Sequence, residues 1–182
     1  PFGNDLYAVT LSGLFARAWD KDLPAEAKME PAAMPEQPLD PLHYGRGRFL
    51  KPDQVTLGDG WRHDKPKWGE IKGSKRGRFT GIPLFHAATP GATLKYEFEG
   101  TSTGLYVVAG PDAGSVETSI DGGEFASCNL FHGHSRGLHY PRTVMLWDGL
   151  KRGTHRVVVR VSKERDLRSL GTALRIVGIG VN

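Results

Sequence analysis

At 182 residues the chain is long enough for one ordinary domain with an appendage, and short for two. It is 38% apolar and 24% charged, and no run approaches the ~18 apolar residues that a membrane span requires. The formal net charge of +4 is unevenly spread: residues 1–43 hold three Lys/Arg against seven Asp/Glu, and residues 44–182 hold 21 against 13.

The basic larger part favours polyanionic partners, although a basic surface also serves solubility alone. No basic-then-apolar secretory leader is present, and the opening PFGNDLY carries no methionine, which predicts a start made by processing or proteolysis. Cys128 is the single cysteine, so an intrachain disulfide is excluded. It reads either as a reactive thiol or, more commonly, as a small and partly buried strand residue.

In chain order, NDLYAVTLSGLFARAWDKD predicts a helix, with Tyr7, Leu11, Leu14, Phe15 and Ala18 at the three- and four-residue spacing of one face. Asn4 is its expected N-cap, Asp5 suits the positive end of the dipole, and Pro24 closes the region. One helix of this length cannot bury its own apolar stripe. Residues 23–43 carry five of the twelve prolines and read as an extended linker, with a domain boundary there.

From Tyr44 onward the period becomes two. In ATLKYEFEG, Leu94, Tyr96 and Phe98 alternate with Lys95, Glu97 and Glu99. GLYVVAG and SVETSIDGG follow, the second ending in the tight-turn sequence Asp121-Gly122-Gly123. RTVMLWDGL runs into the turn DGLKRG, and THRVVVRV sets His155, Val157, Val159 and Val161 opposite Arg156, Val158 and Arg160. TALRIVGIGV makes a last strand. About eight to ten short strands with Gly/Pro/Asp turns predict a mainly β fold, an antiparallel jelly-roll-like β-sandwich.

Several stretches resemble one bacterial family. GTSTGLYVVAGPDAGSVETSIDGGEF, GLHYPRTVMLWDGL and GTALRI look like the C-terminal β-sandwich attached to many SGNH/GDSL-type hydrolases. PFGNDLYA resembles the residues that follow the catalytic D-x-x-H-P-S block of that family. The resemblance implies that residues 1–22 are the last helix of a hydrolase domain, 23–43 a linker and 44–182 an accessory module. It further implies a parent ester hydrolase outside the cell or in the periplasm, with an upstream catalytic domain as partner of this chain. The nucleophile motif G-D-S has only Gly58-Asp59-Gly60 as its nearest match, with no hydroxyl, so no catalytic residue carries over. No cofactor is implied.

Gly133-His134-Ser135-Arg136-Gly137 fits the G-x-S-x-G pattern of a nucleophile elbow. An elbow needs a helix after the turn, and LHYPRTVML leads into a strand instead, so Ser135 reads as a loop serine. His132 and His134, with His139 nearby, are weak metal candidates, the alternative being hydrogen-bonded loop histidines.

The stretch WRHDKPKWGEIKGSKRGRF is more suggestive. Arg62, Lys65, Lys67, Lys72, Lys75, Arg76 and Arg78 face only Asp64 and Glu70, with Trp61 and Trp68 interleaved. Flat rings cover the apolar face of a sugar while cations neutralise its acidic groups. The same composition suits single-stranded nucleic acid, but no RNP, KH or helix-turn-helix signature accompanies it. A solvated loop whose tryptophans cap the core is the remaining reading. His139, Tyr140, Arg142 and Trp147 form a second candidate surface. On that strand Thr143, Met145 and Trp147 share one face and Val144 and Leu146 the other, and periodicity alone does not say which is core. The expected function is a non-catalytic carbohydrate-binding module biased to anionic glycans. The alternative is a module that braces an upstream esterase site without binding sugar.

Overall fold

The computed structural model describes residues 2–21, 36, 40 and 43–182. The chain divides into two compact units, Pro1–Leu39 and Asp40–Asn182. In the first, helix α1 spans Phe2–Trp19, with Asp5 in its first turn and Arg17 in its last, each charge opposing the helix dipole. It begins two residues earlier than expected, so Asn4 lies inside the first turn and is not the N-cap. Tyr7, Leu14 and Phe15 are exposed, as are Leu6 and Val9, so the apolar stripe is unburied. Pro24 and the proline-rich stretch 23–43 lie outside the described residues, apart from Glu36, Asp40 and His43.

The second unit is a jelly-roll-like β-sandwich of eleven strands: β1 (Arg48–Phe49), β2 (Val55–Leu57), β3 (Arg62–Asp64), β4 (Leu84–Ala87), β5 (Thr93–Gly100), β6 (Thr103–Ala109), β7 (Ser115–Ile120), β8 (Ala126–Asn129), β9 (Tyr140–Trp147), β10 (Gly153–Val161) and β11 (Leu174–Val181). One sheet runs β3-β4-β11-β6-β9 with β1 also on β11, and the other runs β2-β5-β10-β7-β8. Every strand pairing is antiparallel. β4 and β1 follow one another along the same edge of β11, pairing with Leu174–Ile176 and with Gly180–Val181 respectively. The count exceeds the expected eight to ten because β1, β2 and β3 are only two or three residues long. Strands that short carry too few residues for alternation to show.

The long strands follow their alternation. Leu94, Tyr96 and Phe98 of β5, and Val157, Val159 and Val161 of β10, point inward. They meet Leu105 and Val107 of β6 and Leu174, Ile176 and Ile179 of β11 in one continuous core. The one buried phenol is satisfied: Tyr96 Oη lies 2.9 Å from Thr103 Oγ1, which donates to Gly180 O at 3.0 Å. On the outer surface of the second sheet the charges pair across strands, Arg156 with Glu97 at 2.9 Å and Arg160 with Glu117 at 2.6 Å. The register of β11 shifts between Ile176 and Gly178, where a β-carbon would stand 2.7 Å from the ring of Phe49. Only glycine admits that approach.

The turn after β7 takes the positive φ its Asp-Gly sequence predicts, 52° at Asp121 and 78° at Gly122. Asp121 then accepts from the backbone N–H of Arg156 at 2.8 Å and from His155 Nδ1 at 2.7 Å, while His155 Nε2 donates to Lys151 O at 2.9 Å. Both imidazole nitrogens therefore face acceptors, and the hydrogen bond to Asp121 above all raises the His155 pKa over its usual value of 6.5. A raised histidine stabilises the fold fully below its unfolded pKa and loses that contribution as pH rises through the folded one. The gap in melting temperature between wild type and His155→Ala is therefore expected to be widest near about pH 5.5 and to close towards about pH 9. A gap that does not change with pH in thermal denaturation would refute the charged pair.

The end of the sandwich is stitched to its beginning. Asn182 donates from its N–H to Ser102 O at 3.0 Å and from Nδ2 to His43 O at 3.0 Å, and its Oδ1 accepts from Arg46 N–H at 3.1 Å.

Candidate functional site

Beside β3, β4 and the start of β11 lies a polar cleft of about 450 Å³. A turn at Gly60 (φ 87°) leads into β3, which pairs with β4 so that Arg62 stands opposite His86 and Asp64 opposite Leu84. The next residues, 65–75, have no regular structure beyond a single 3-10 turn at Trp68–Glu70 and a bridge of Ser74 to Leu138, and Lys65, Pro66, Lys67, Glu70 and Ile71 among them make the outer wall. Arg62, Lys65, Lys67 and Arg175 line the cleft, with Asp64, Glu70 and His86 among them. Asp64 Oδ1 lies 2.7 Å from His86 Nε2, a bond that holds the carboxyl below its usual pKa, while Lys67 and Glu70 approach at 3.8 Å. Arg62, Lys65 and Lys67, all exposed, outnumber the two carboxylates Asp64 and Glu70 in this lining.

Beneath the wall is a buried cluster. Arg175, only 6% exposed, makes two parallel bonds to Asp112, 2.8 Å to Oδ1 and 2.7 Å to Oδ2. Burial works to raise the pKa of Asp112, but those bonds and the charge of Arg175 outweigh it and hold the carboxyl below 3.8. The Trp68 ring sits 5.6 Å from the Arg175 guanidinium and meets the His139 ring edge-on at 5.1 Å. His139 is 1% exposed, so it touches no ligand from outside, contrary to its expected place on a binding surface. Trp68 is half-buried, its ring set between His139 and the Arg175 guanidinium.

A third group forms an aromatic corner outside the lining of the cleft. The rings of His134 and Tyr140 stack at 5.0 Å, His132 meets both edge-on, and the Arg76 guanidinium lies 5.2 Å from the centre of Tyr140. His132 Nδ1 accepts from the His134 N–H at 3.2 Å, and no group of three or more His, Cys, Asp or Glu side chains that could hold a metal occurs among the described residues. Ser135 lies in a 3-10 turn, Gly133–Arg136, fully buried, and its hydroxyl donates to Ala109 O at 3.1 Å. It is a structural hydroxyl with neither exposure nor a base.

The remaining candidates separate. Trp61, 6% exposed, belongs to the hydrophobic core and has no face free to receive a sugar. Arg142 is occupied with its own loop, donating from Nη1 to Leu130 O at 3.2 Å. On β9 the Val144 and Leu146 face is the inner one and Thr143 and Met145 are exposed. A register shift opposite Thr103 interrupts the alternation before Trp147, which is half-buried with its indole nitrogen buried. Sequence reasoning missed Asp112, His86 and Arg175. Of these only Arg175 left a signal, as a lone charge inside the apolar run TALRIVGIGV.

These features define a β-sandwich with a polar cleft along one edge. No protein-family model matches the chain, and no curated protein is matched by it. Among solved structures it is similar to a two-domain esterase active on acetylated mannans, at 16% identity and a TM-score of 0.59, over 98% of this chain and 46% of that one. The form of that esterase co-crystallised with mannopentaose gives 15% and 0.58, over 98% and 45%. It is also similar to an exo-β-1,3-galactanase from Phanerochaete chrysosporium bound to galactose, at 16% and 0.50, over 75% of this chain and 29% of that one. At such identities the likeness is one of fold, and this chain spans less than half the length of the esterase.

Proposed function

We propose that this chain is the accessory β-sandwich of a carbohydrate esterase of SGNH/GDSL type, and that it holds a glycan in the polar cleft. The observation that carries the reading is the convergence of Arg62, Lys65 and Lys67 with Asp64, His86 and Glu70 in one concave site. Sugar hydroxyls are both donors and acceptors, and such a mixed set of charged side chains satisfies both roles, while the surplus of cations favours acidic units. The likeness to a mannan-active esterase, which takes in both the helix and the sandwich, supports the parent class. On this reading residues 1–22 close a catalytic domain, 23–43 link it, 44–182 bind the glycan, and the protein works outside the cell or in the periplasm.

The test is affinity electrophoresis of the full chain through gels of neutral mannan, acetylated mannan and an acidic polysaccharide. Arg62→Ala combined with Lys67→Ala is expected to weaken retention about tenfold, corresponding to ~1.4 kcal/mol, with added salt weakening the acidic gel most. Unchanged migration of the double variant refutes the cleft as the glycan site. A wild-type chain retained by none of the gels, joined to an active esterase in the longer protein, returns the module to a bracing role.

A further inference from the structure

The cleft wall, residues 65–75, lacks a strand or helix of useful length, so something else must fix its course. It leaves β3 at Asp64, paired with Leu84, and its backbone is next tied to the sandwich where Ser74 N–H donates to Gly137 O at 2.8 Å and His139 N–H donates to Ser74 O at 2.8 Å. Between Trp68 and that pin, Lys75 Nζ donates to Ile71 O within the stretch, and the side chain of His139 ties it to the sandwich. Its Nε2 bonds Lys72 O at 2.9 Å. A carbonyl can only accept, so Nε2 carries the hydrogen. The ring edge packs on Trp68, whose other contact is the Arg175 guanidinium fixed by Asp112. Gly110 makes the room: a β-carbon there would fall 2.1 Å from the imidazole.

We propose that His139 is a positioning residue, a neutral latch that holds residues 65–75 and thereby sets Lys65, Lys67 and Glu70 along the cleft. The latch rests on the glycan reading only for its purpose, not for its mechanics.

The neutral form is essential to it. Nδ1 is buried and has no partner among the described residues. Protonating it would place a cation beside Arg175 and Lys75, with Asp112 the one carboxylate near and already taken by Arg175. Burial, then the neighbouring cations, accordingly depress the His139 pKa below 6.5, against the opposing pull of the Lys72 carbonyl and Asp112. Below about pH 6.5 the released histidine takes a proton more readily than the latched one, so acid favours release, and the effect is complete only below the folded pKa.

The experiment compares wild type with His139→Gln, which keeps an N–H donor but does not titrate, and His139→Leu, which fills space without a donor. Amide hydrogen exchange over residues 65–75, referred to the core strand β10 to cancel the intrinsic pH dependence, reads the wall with no ligand present. The leucine variant is expected to lose on the order of tenfold protection in the wall. The glutamine variant should keep the wall protected at neutral pH and lose the selective opening that wild type shows in acid. Retention on the acidic polysaccharide should follow the same order. Wild-type protection in the leucine variant, or an acid opening in the glutamine variant equal to that of wild type, overturns the latch. If the leucine variant does not fold, the glutamine comparison decides alone. Absence of glycan retention in wild type counts against the glycan site and leaves the latch to be judged by exchange.

Discussion

Trp61→Ala is expected to destabilise the sandwich by about 3–5 kcal/mol, read as a fall in the urea midpoint at unchanged slope. The indole enters the core from the turn ahead of β3, where the backbone N–H of Trp61 donates to Gly58 O at 3.1 Å, and it packs among the residues of both sheets. Truncation removes the largest aromatic surface in that part of the core, and the neighbouring strand is too short to collapse into the space. A glycan platform would behave in the opposite way, with binding lost and stability kept. The two roles are therefore separated by one pair of measurements. If the variant melts with wild type, Trp61 is not a core residue.

Asp112→Ala is expected to cost about 3–5 kcal/mol, because it strands the 6%-exposed Arg175 without an acceptor. The double variant Asp112→Ala with Arg175→Met is expected to recover most of that loss, since removing both charges removes the cost of burying either. A double variant no more stable than Asp112→Ala would mean that the pair is not the source of the loss. The folded pKa of Asp112 is depressed, so its contribution is present above the unfolded value near 3.8 and disappears as pH falls through the folded one. Acid unfolding of wild type should therefore steepen below about pH 3.8, and that component should be missing from the double variant.

The sandwich was legible because its long strands obey a period of two over seven to nine residues, as at Leu94, Tyr96 and Phe98, and because Asp121-Gly122 is a turn by its own chemistry. Trp61 was not legible in the same way. It stands between a glycine turn and a three-residue strand, where no alternation exists to say which way an indole points. On β9 alternation separated Thr143 and Met145 from Val144, yet which side faced inward depended on the partner sheet, a nonlocal fact. The register shift opposite Thr103 that interrupts the alternation before Trp147 left no mark in the sequence. The basic stretch left two readings open, a sugar-binding surface and a solvated loop whose tryptophans cap the core. The fold divides it into a wall with charges outside and a tryptophan and carbonyls turned inside, because a loop is shaped by what it is tied to. Here the tie is His139, some seventy residues away along the chain, at a distance no spacing rule covers.

The bonds of Asn182 to His43 and Arg46 have a mechanical meaning. Within the sandwich unit His43 and Asn182 lie side by side, so its two ends meet at one point. Such a unit can be inserted into a loop of a host protein without prying the loop apart. It also means that tension arriving through residue 43 passes directly to β11, the strand on which β1, β4 and β6 all depend. A tug arriving at residue 43 would load the middle of the sheet before it reached the cleft.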